Sequence, residues 1–166
     1  CVFLEHHFPE IKIIRLRKNY GFASGYNKGL AQIDADYYIL LNSDVLIKND
    51  WISPLLAEIQ KDPSVLVVQP KILSLTDQDK FEYAGAAGGY IDILGYPFCK
   101  GRIIDYLETD KNQYQDVTEI FWASGAAMVI KAVVFKAMGG FDGDYFAHQE
   151  EIDLCWRIKR LGGKII

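Results

Sequence analysis

The chain of 166 residues lacks the features that mark several large classes of protein. It has only three cysteines, Cys1, Cys99 and Cys155, whose spacing matches no zinc signature and whose odd number suits no disulfide framework. We therefore expect reduced thiols, as in a cytoplasmic protein. Cys155 lies in the apolar stripe of a predicted helix, which favours a small core residue over a reactive one.

Long apolar and basic runs are missing as well. The longest mainly apolar stretch, residues 121–130, is too short to cross a bilayer. The formal net charge is -4 and no basic run stands out, which disfavours nucleic acid as a partner. What remains is a globular composition, with 50% hydrophobic and 24% charged residues in a chain long enough for one domain.

The hydrophobic pattern alternates between strand-like and helix-like segments. It predicts strands at residues 11–16, 37–41, 65–69 and 126–130, and helices at residues 23–33, 51–61, 132–138 and about 149–161. Such alternation predicts an α/β fold with one mostly parallel, doubly wound sheet and helices on both faces. Residues 74–118 interrupt the rhythm with glycines, tyrosines and polar residues, so we expect a loop-rich insertion with short strands within a single domain, 1–166.

The first candidate motif, residues 19–29, follows a predicted strand and opens a predicted helix. Gly21 would permit a tight turn, whereas Gly25 and Gly29 would share one helical face and allow close packing. A helix N-terminus after such a turn can also face an anion. The glycine spacing matches neither a P-loop nor a dinucleotide-binding fingerprint, and packing alone is an alternative role for these glycines.

The second candidate motif is the polar end, Asn42-Ser43-Asp44, of the predicted strand 37–41. Ligands of open α/β sheets collect at the carboxyl ends of strands. A carboxylate there can hold a divalent cation, although Asp44 alone makes a poor site that substrate phosphates would have to complete. The alternative is that Asp44 caps the next turn or helix, with Asp50 as a rival cap.

The third candidate motif places Glu150, Glu151 and Asp153 at the start of the last predicted helix. Acidic residues at a helix N-terminus complement the helix dipole, and Asp153 with Arg157 can form an ordinary i,i+4 pair. Those are the structural alternatives. The functional interpretation is that one of the three carboxylates removes a proton from a hydroxyl group.

In this order the motifs resemble family 2 glycosyltransferases of the GT-A fold, particularly the bacterial rhamnosyltransferase-like members. The resemblance covers nearly the whole chain and rests on Asn19, Gly21, Phe22, Ala23, Gly25, Asn27 and Gly29, on Asn42-Ser43-Asp44, on Ser124-Gly125-Ala126, on Gly139-Gly140-Phe141-Asp142, and on the acidic segment before Cys155 and Arg157. Two positions depart from the family pattern. Glu151 stands where an Asp is usual, and Asn42 replaces the first acid of an Asp-x-Asp motif.

The resemblance implies the inverting transfer of a sugar from a nucleoside-diphosphate sugar to an acceptor hydroxyl. Glu151 would be the general base, kept ionised by the helix dipole, with Glu150 and Asp153 orienting groups or contacting the acceptor. Asp44 would hold Mg²⁺ or Mn²⁺. The nucleotide-sugar site would be formed by Asn19, Gly21, Phe22, Ala23, Gly25, Asn27, Asn42, Ser43, Trp122, Ser124 and Gly125. For Trp122, a core aromatic is the alternative.

The resemblance also implies a saccharide or lipid-linked acceptor and a role in bacterial cell-surface polysaccharide synthesis. It places the protein in the cytoplasm, with peripheral association at the inner face of the cytoplasmic membrane as one option. The family begins with a β-α-β unit that binds the nucleobase and ribose, and none of it precedes Cys1. We therefore expect an excised piece, and the sequence leaves open whether that piece is active by itself.

Two rival functions follow from the same residues. A non-catalytic binding module with the GT-A fold is favoured by Glu151 in the place of Asp and by the missing segments. A metal-dependent nucleotidyltransferase would share a metal site at a strand end. The acidic helix after the Gly-Gly-Phe-Asp segment disfavours this second rival.

Overall fold

The computed structural model describes residues 2–83 and 85–166, which form five α-helices and eight strands. The helices are α1 (Val2–His7), α2 (Gly21–Leu30), α3 (Ile52–Lys61), α4 (Ala132–Ala137) and α5 (Glu150–Arg160). The strands are β1 (Tyr37–Leu41), β2 (Val65–Val68), β3 (Gly89–Ile91), β4 (Pro97–Cys99), β5 (Arg102–Ile103), β6 (Tyr106–Leu107), β7 (Ala127–Lys131) and β8 (Lys164–Ile165).

The main sheet has the strand order β1-β7-β2-β8. Strand β7 runs antiparallel to both β1 and β2, whereas β2 and β8 are parallel. The predicted α/β class is confirmed, but the prediction of a mostly parallel sheet is wrong for these strands. The reason is the connection: β7 follows the long excursion at residues 74–118 rather than a crossover helix, and parallel neighbours require such a crossover.

Helices cover both faces of this sheet, as the sequence predicts. On one face, Leu55 and Ile59 of α3 pack against Val68 and Val129. On the other face, side chains of α2, α4 and α5 pack against the intervening strand positions, such as Met128. Neighbouring residues of β7 therefore point into two different apolar clusters, which is why this strand reads as a continuous apolar run.

Residues 11–16 were predicted to form a strand, and this prediction is wrong. Ile13, Ile14 and Leu16 are partly covered, yet the segment pairs with no strand among residues 2–83 and 85–166. An alternating pattern reports which side chains are covered. It does not report whether the backbone finds a hydrogen-bonding partner, and a strand requires both.

The excursion contains a second sheet, the antiparallel meander β3-β4-β5-β6. It joins the main body at Gly89, which forms a β-bridge with Trp122. A Cβ atom at Gly89 would overlap the indole ring of Trp122, so the absence of a side chain permits this contact. The two sheets are therefore held together by a large ring packed on bare backbone.

The two described cysteines, Cys99 and Cys155, are free and buried, as expected of reduced thiols; Cys1 lies outside the described residues. Cys155 is completely buried in the core, and burial raises the pKa of its thiol to about 12. Its predicted role as a small core residue is confirmed, because such a thiol is protonated and unreactive at neutral pH.

The predicted packing role of Gly25 and Gly29 is wrong. A Cβ atom at either position would meet no heavy atom within 4 Å beyond its chain neighbours and the backbone of its own helix. Both glycines lie inside α2 with helical geometry. They weaken this helix without serving close packing, since glycine loses more backbone entropy on helix formation than alanine does.

We predict opposite effects of alanine at two glycines. Gly29→Ala should raise the free energy of unfolding by roughly 0.5–1 kcal/mol, because the methyl group meets open space within a helix. Gly89→Ala should lower it by more than about 2 kcal/mol, because the methyl group would overlap the ring of Trp122. Urea unfolding of both variants tests this. A destabilising Gly29→Ala would restore the close-packing interpretation.

Candidate active site

The start of α2 is a tight turn closed by protein groups. Gly21 has a φ angle of +76°, and a Cβ atom there would lie 2.7 Å from the carbonyl oxygen of Phe146. The amide of Gly21 donates to Oδ1 of Asn19 (2.9 Å), and the amide of Phe22 donates to the Phe146 carbonyl (2.9 Å). The predicted turn is confirmed. The predicted anion site is not available to these two amides, because both already have acceptors.

Asn27 joins α2 to the Gly-Gly-Phe-Asp segment. Its Nδ2 donates to the carbonyl oxygen of Phe141 (2.7 Å), and the amide of Phe141 donates to its Oδ1 (2.9 Å). A Cβ atom at Gly140 would overlap this Oδ1. Two segments that lie 114 positions apart in the sequence are thus fixed together by one side chain.

The Ser124-Gly125 turn is buried and lies beside the start of α2. The amide of Ser124 donates to Oε1 of Gln69 (2.7 Å), whose Nε2 donates to the carbonyl of Gly85 (3.1 Å). A Cβ atom at Gly125 would be 3.1 Å from the ring of Phe22. The turn therefore connects the main sheet, the excursion and α2 at one place.

The predicted ligand-binding residues differ from one another in accessibility. Trp122 is only 5% exposed and its Nε1 donates to the carbonyl of Tyr90 (2.9 Å), so the core-aromatic alternative describes it. Ala23 is fully buried in the same core. Gly25, by contrast, borders open space and leaves its side of α2 accessible. The aromatic character of Trp122 could not separate core from pocket, because both environments favour it.

The polar end of β1 lies next to this turn. The amide of Asn42 donates to the carbonyl of Ala126 (2.9 Å), while Ser43 and Asp44 are exposed. The capping alternative applies to Asp50, whose Oδ1 accepts the amide of Ser53 (3.1 Å) at the start of α3. Asp44 makes no side-chain hydrogen bond or ion pair with any residue that the structure describes. Its carboxylate is therefore free to bind a cation.

A cation at Asp44 would need ligands from outside the chain. Within residues 2–83 and 85–166, no group of three or more His, Cys, Asp or Glu residues could hold a metal ion. The arrangement therefore fits a cation that takes one carboxylate from the protein and its other oxygens from substrate phosphates and water.

The three acids at the start of α5 have different environments. Asp153 forms the predicted i,i+4 pair: its Oδ2 accepts from Nε (2.9 Å) and Nη2 (2.7 Å) of Arg157. Arg157 also donates to the carbonyls of Met138 (2.6 Å) and Gly140 (2.9 Å). In Glu150 and Glu151, by contrast, Oε2 is buried without a hydrogen-bond partner in the part of the chain that the structure describes. Unpaired buried carboxylate oxygens are rare in proteins and are typical of functional sites.

Burial raises the pKa of Glu151 to about 7. The negative charge of Glu150 acts in the same direction, whereas the backbone amide of Glu151 and the nearby His148 act against it. The helix dipole was expected to favour the ionised form of this carboxylate, but desolvation acts in the opposite direction and outweighs it. A carboxyl group with such a pKa can take up and release a proton near neutral pH.

Two strained residues precede the acids. His148 and Gln149 have φ angles of 75° and 74°, in the left-handed region that non-glycine residues rarely adopt. Such conformations cost of order 1–3 kcal/mol each and persist only where the surroundings enforce them. They turn the chain directly before Glu150. No signal in the sequence predicts this feature, because neither residue is a glycine or an asparagine.

The family model for glycosyl transferase family 2 matches residues 3–136, well over half of the chain. The chain belongs to glycosyl transferase family 2. The matched range includes the α2 motif and Asp44 and ends before α5. For this family 2 chain, the nucleotidyltransferase alternative is disfavoured.

Two curated relatives are glycosyltransferases by name, and the second of them agrees with the rhamnosyltransferase-like resemblance. The chain is 26% identical over 157 residues to the pre-mycofactocin glycosyltransferase of Mycobacterium tuberculosis, covering 94% of this chain and 30% of the relative. It is 25% identical over 173 residues to the N-acetylglucosaminyl-diphospho-decaprenol L-rhamnosyltransferase of the same species, covering 93% of this chain and 55% of the relative. The family 2 chain thus spans roughly a third to just over half of these relatives' length.

A solved structure shows the fold of this family 2 chain. The crystal structure of GalNAc-T7 with UDP, GalNAc and Mn²⁺ matches with a TM-score of 0.73 at 17% identity, over 99% of this chain and 31% of that one. The GT-A fold is thereby confirmed. Among the described residues, no helix is both long enough and apolar enough to cross a membrane.

We predict that Glu151→Gln stabilises the protein increasingly as the pH rises from 5 to 8. The raised pKa means that the folded state favours the neutral acid. The wild type therefore loses stability as the pH rises from the ordinary glutamate pKa of 4.5 to about 7, whereas glutamine has no charge to bury. The gain at pH 8 should be about 2 kcal/mol after allowance for partial exposure. Urea unfolding at both pH values measures it, and an equal change in the exposed control Glu10→Gln would contradict the prediction.

Proposed function

We propose that this chain carries the acceptor-activating part of a glycosyltransferase that transfers a sugar from a nucleoside-diphosphate sugar to an acceptor hydroxyl. The observation that carries the proposal is the state of Glu151. Its carboxyl group is partly buried, lacks a hydrogen-bond partner at Oε2, and has a pKa of about 7. Such a group can take up a proton near neutral pH and offers no evident contribution to stability.

In the proposed reaction, ionised Glu151 accepts the proton of the acceptor hydroxyl. The hydroxyl oxygen forms a bond to the anomeric carbon, the bond to the diphosphate oxygen breaks, and the leaving diphosphate keeps the electron pair. A single displacement of this kind inverts the anomeric configuration. The negative charge of Glu150, which favours protonated Glu151, would help the base to hold the proton that it has taken.

Asp44 is the proposed protein ligand of Mg²⁺ or Mn²⁺, because its exposed carboxylate follows the end of β1 and has no other partner among the described residues. The cation would supply positive charge to the departing diphosphate. Asn42 would serve the donor site indirectly, by fixing the end of β1 against Ala126 (2.9 Å). Ser43 and Gly25 stay candidates for direct contact with the nucleotide sugar.

The proposed acceptor is a saccharide or a lipid-linked sugar. One support is the name of the Mycobacterium tuberculosis relative, which describes an N-acetylglucosaminyl-diphospho-decaprenol as the substrate of that protein. We further propose a role in bacterial cell-surface polysaccharide synthesis. An acceptor anchored in a bilayer would bring the protein to the inner face of the cytoplasmic membrane as a peripheral protein.

We predict that Glu151→Gln lowers the turnover number about a hundredfold, the usual scale for a lost general base. Glu151→Asp restores the family's usual residue and should keep substantial activity. Wild-type turnover should fall as the pH drops through about 7, because the base becomes protonated. Steady-state transfer by the protein with its family-typical flanking segments measures these effects. If Glu150→Gln is inactive and Glu151→Gln is active, Glu150 is the general base. Full activity in both variants would favour a non-catalytic module.

We predict that substitution of Asp44 and of Asp50 will have different effects, because Asp44 is the proposed metal ligand and Asp50 caps a helix. Asp44→Ala should abolish turnover that depends on Mg²⁺ or Mn²⁺ and leave the free energy of unfolding unchanged, because the Asp44 side chain bonds no other described residue. Asp50→Ala should lower that free energy by about 1 kcal/mol, through loss of the bond to Ser53, and keep turnover. Unchanged metal-dependent turnover in Asp44→Ala would remove this residue from the site.

A further inference from the structure

Asn27 differs from a typical ligand-binding amide, because both ends of its side chain are already in use. Nδ2 and Oδ1 bond the carbonyl and the amide of Phe141 at 2.7 and 2.9 Å. Oδ1 is packed so closely on Gly140 that a Cβ atom there would overlap it. Phe141 itself is buried, with its ring against those of Phe22 (5.9 Å) and Phe135 (5.3 Å).

The segment fixed by Asn27 leads directly to the proposed base. From Phe141 the chain runs through the loop 142–149 to the start of α5, where Glu150 and Glu151 stand. A second contact holds the loop from the same helix, since the Phe146 carbonyl accepts the amide of Phe22 (2.9 Å). Helix α2 therefore restrains the loop at two points, and the loop ends in the left-handed residues His148 and Gln149 directly before Glu150.

We infer that Asn27 is a positioning residue for Glu151: by fixing the backbone of Phe141, it sets the loop 142–149 and thereby the depth at which the base is buried. The inference rests on the proposed function, in which Glu151 is the base. Four titratable groups interact electrostatically with Glu151. Glu150 and Cys155 lie with it on α5, His148 lies in the preceding loop, and Cys99 lies on β4. The two thiols are neutral near pH 7, because burial raises the pKa of each.

The test compares Asn27→Ala, which removes both bonds, with the wild type. A loosened loop admits water to Glu151 and lowers its pKa. The turnover number at pH 7 should fall by about tenfold or more, as expected for a displaced catalytic group. The KM for the donor should stay within about twofold. The acidic limb of the pH profile should move to lower pH. Asn27→Asp keeps the acceptor for the Phe141 amide and should show a smaller change.

Gln32→Ala is the matched control. Gln32 also donates from a side-chain amide to a backbone carbonyl, that of Lys28 (2.9 Å), but at an exposed position just beyond the end of α2. Its loss should leave the turnover number, the donor KM and the pH profile unchanged. A similar fall in turnover number and shift of the pH profile in Gln32→Ala would show that any weakening of the end of α2 produces these effects. That result would overturn the specific role of Asn27.

A readout without turnover makes the result decisive. Carbon-13 NMR titration of the Glu151 carboxyl group, assigned by its loss in Glu151→Gln, should give a lower pKa in Asn27→Ala than in the wild type. A raised donor KM with an unchanged turnover number would make Asn27 a donor ligand and overturn the inference. A lower melting temperature with an unchanged titration would reduce Asn27 to a purely structural role. If the wild type transfers no sugar, the proposed function fails, while the titration still decides the positioning. If Asn27→Ala does not fold, the kinetics and the Glu151 titration are measured in Asn27→Asp instead.

Discussion

The two hydrogen bonds between the Asn27 side chain and the Phe141 backbone connect two segments that carry residues of the proposed site. They join α2 to the segment that enters α5, and so they bring together motifs that a sequence comparison treats as separate. The tight turn at Gly21 and the contact of Phe22 with the Phe146 carbonyl depend on the same alignment. Much of the motif around Asn27 is thus engaged in contacts within the chain.

Desolvation and the helix dipole oppose each other at Glu151. The first turn of a helix favours a negative charge by typically less than about 1 kcal/mol at an exposed site. Burial disfavours the negative charge, and this effect is the larger one, since the pKa of Glu151 rises to about 7. Asp153 avoids this conflict through its ion pair with Arg157. Two acids on one helical turn are therefore divided between a structural and a proposed chemical role by their surroundings.

The sequence predicts most elements of the main sheet, because strands β1, β2 and β7 are apolar on both faces and read as continuous runs. It fails where the outcome depends on distant backbone partners. Residues 11–16 alternate like a strand but find no pairing partner among the described residues, and β7 enters the sheet antiparallel. Candidate residues around Asn27 and Glu151 were found from motifs. The roles of these residues could not be predicted from the motifs, because a motif specifies which residues occur and leaves their burial and hydrogen-bond partners undetermined.

The separation of contacts along the chain also bears on the order of folding. The meander β3–β6 pairs strands that follow one another closely, so closing its loops costs little entropy. The pairing of Tyr37 with Lys131, and the bonds of Asn27 across 114 positions, need most of the chain to be collected first. We expect local hairpins to form early and the surroundings of Glu151 to form late. On the ribosome, the site can close only after α5 has emerged, and until β7 has emerged β1 lacks the strand with which it pairs.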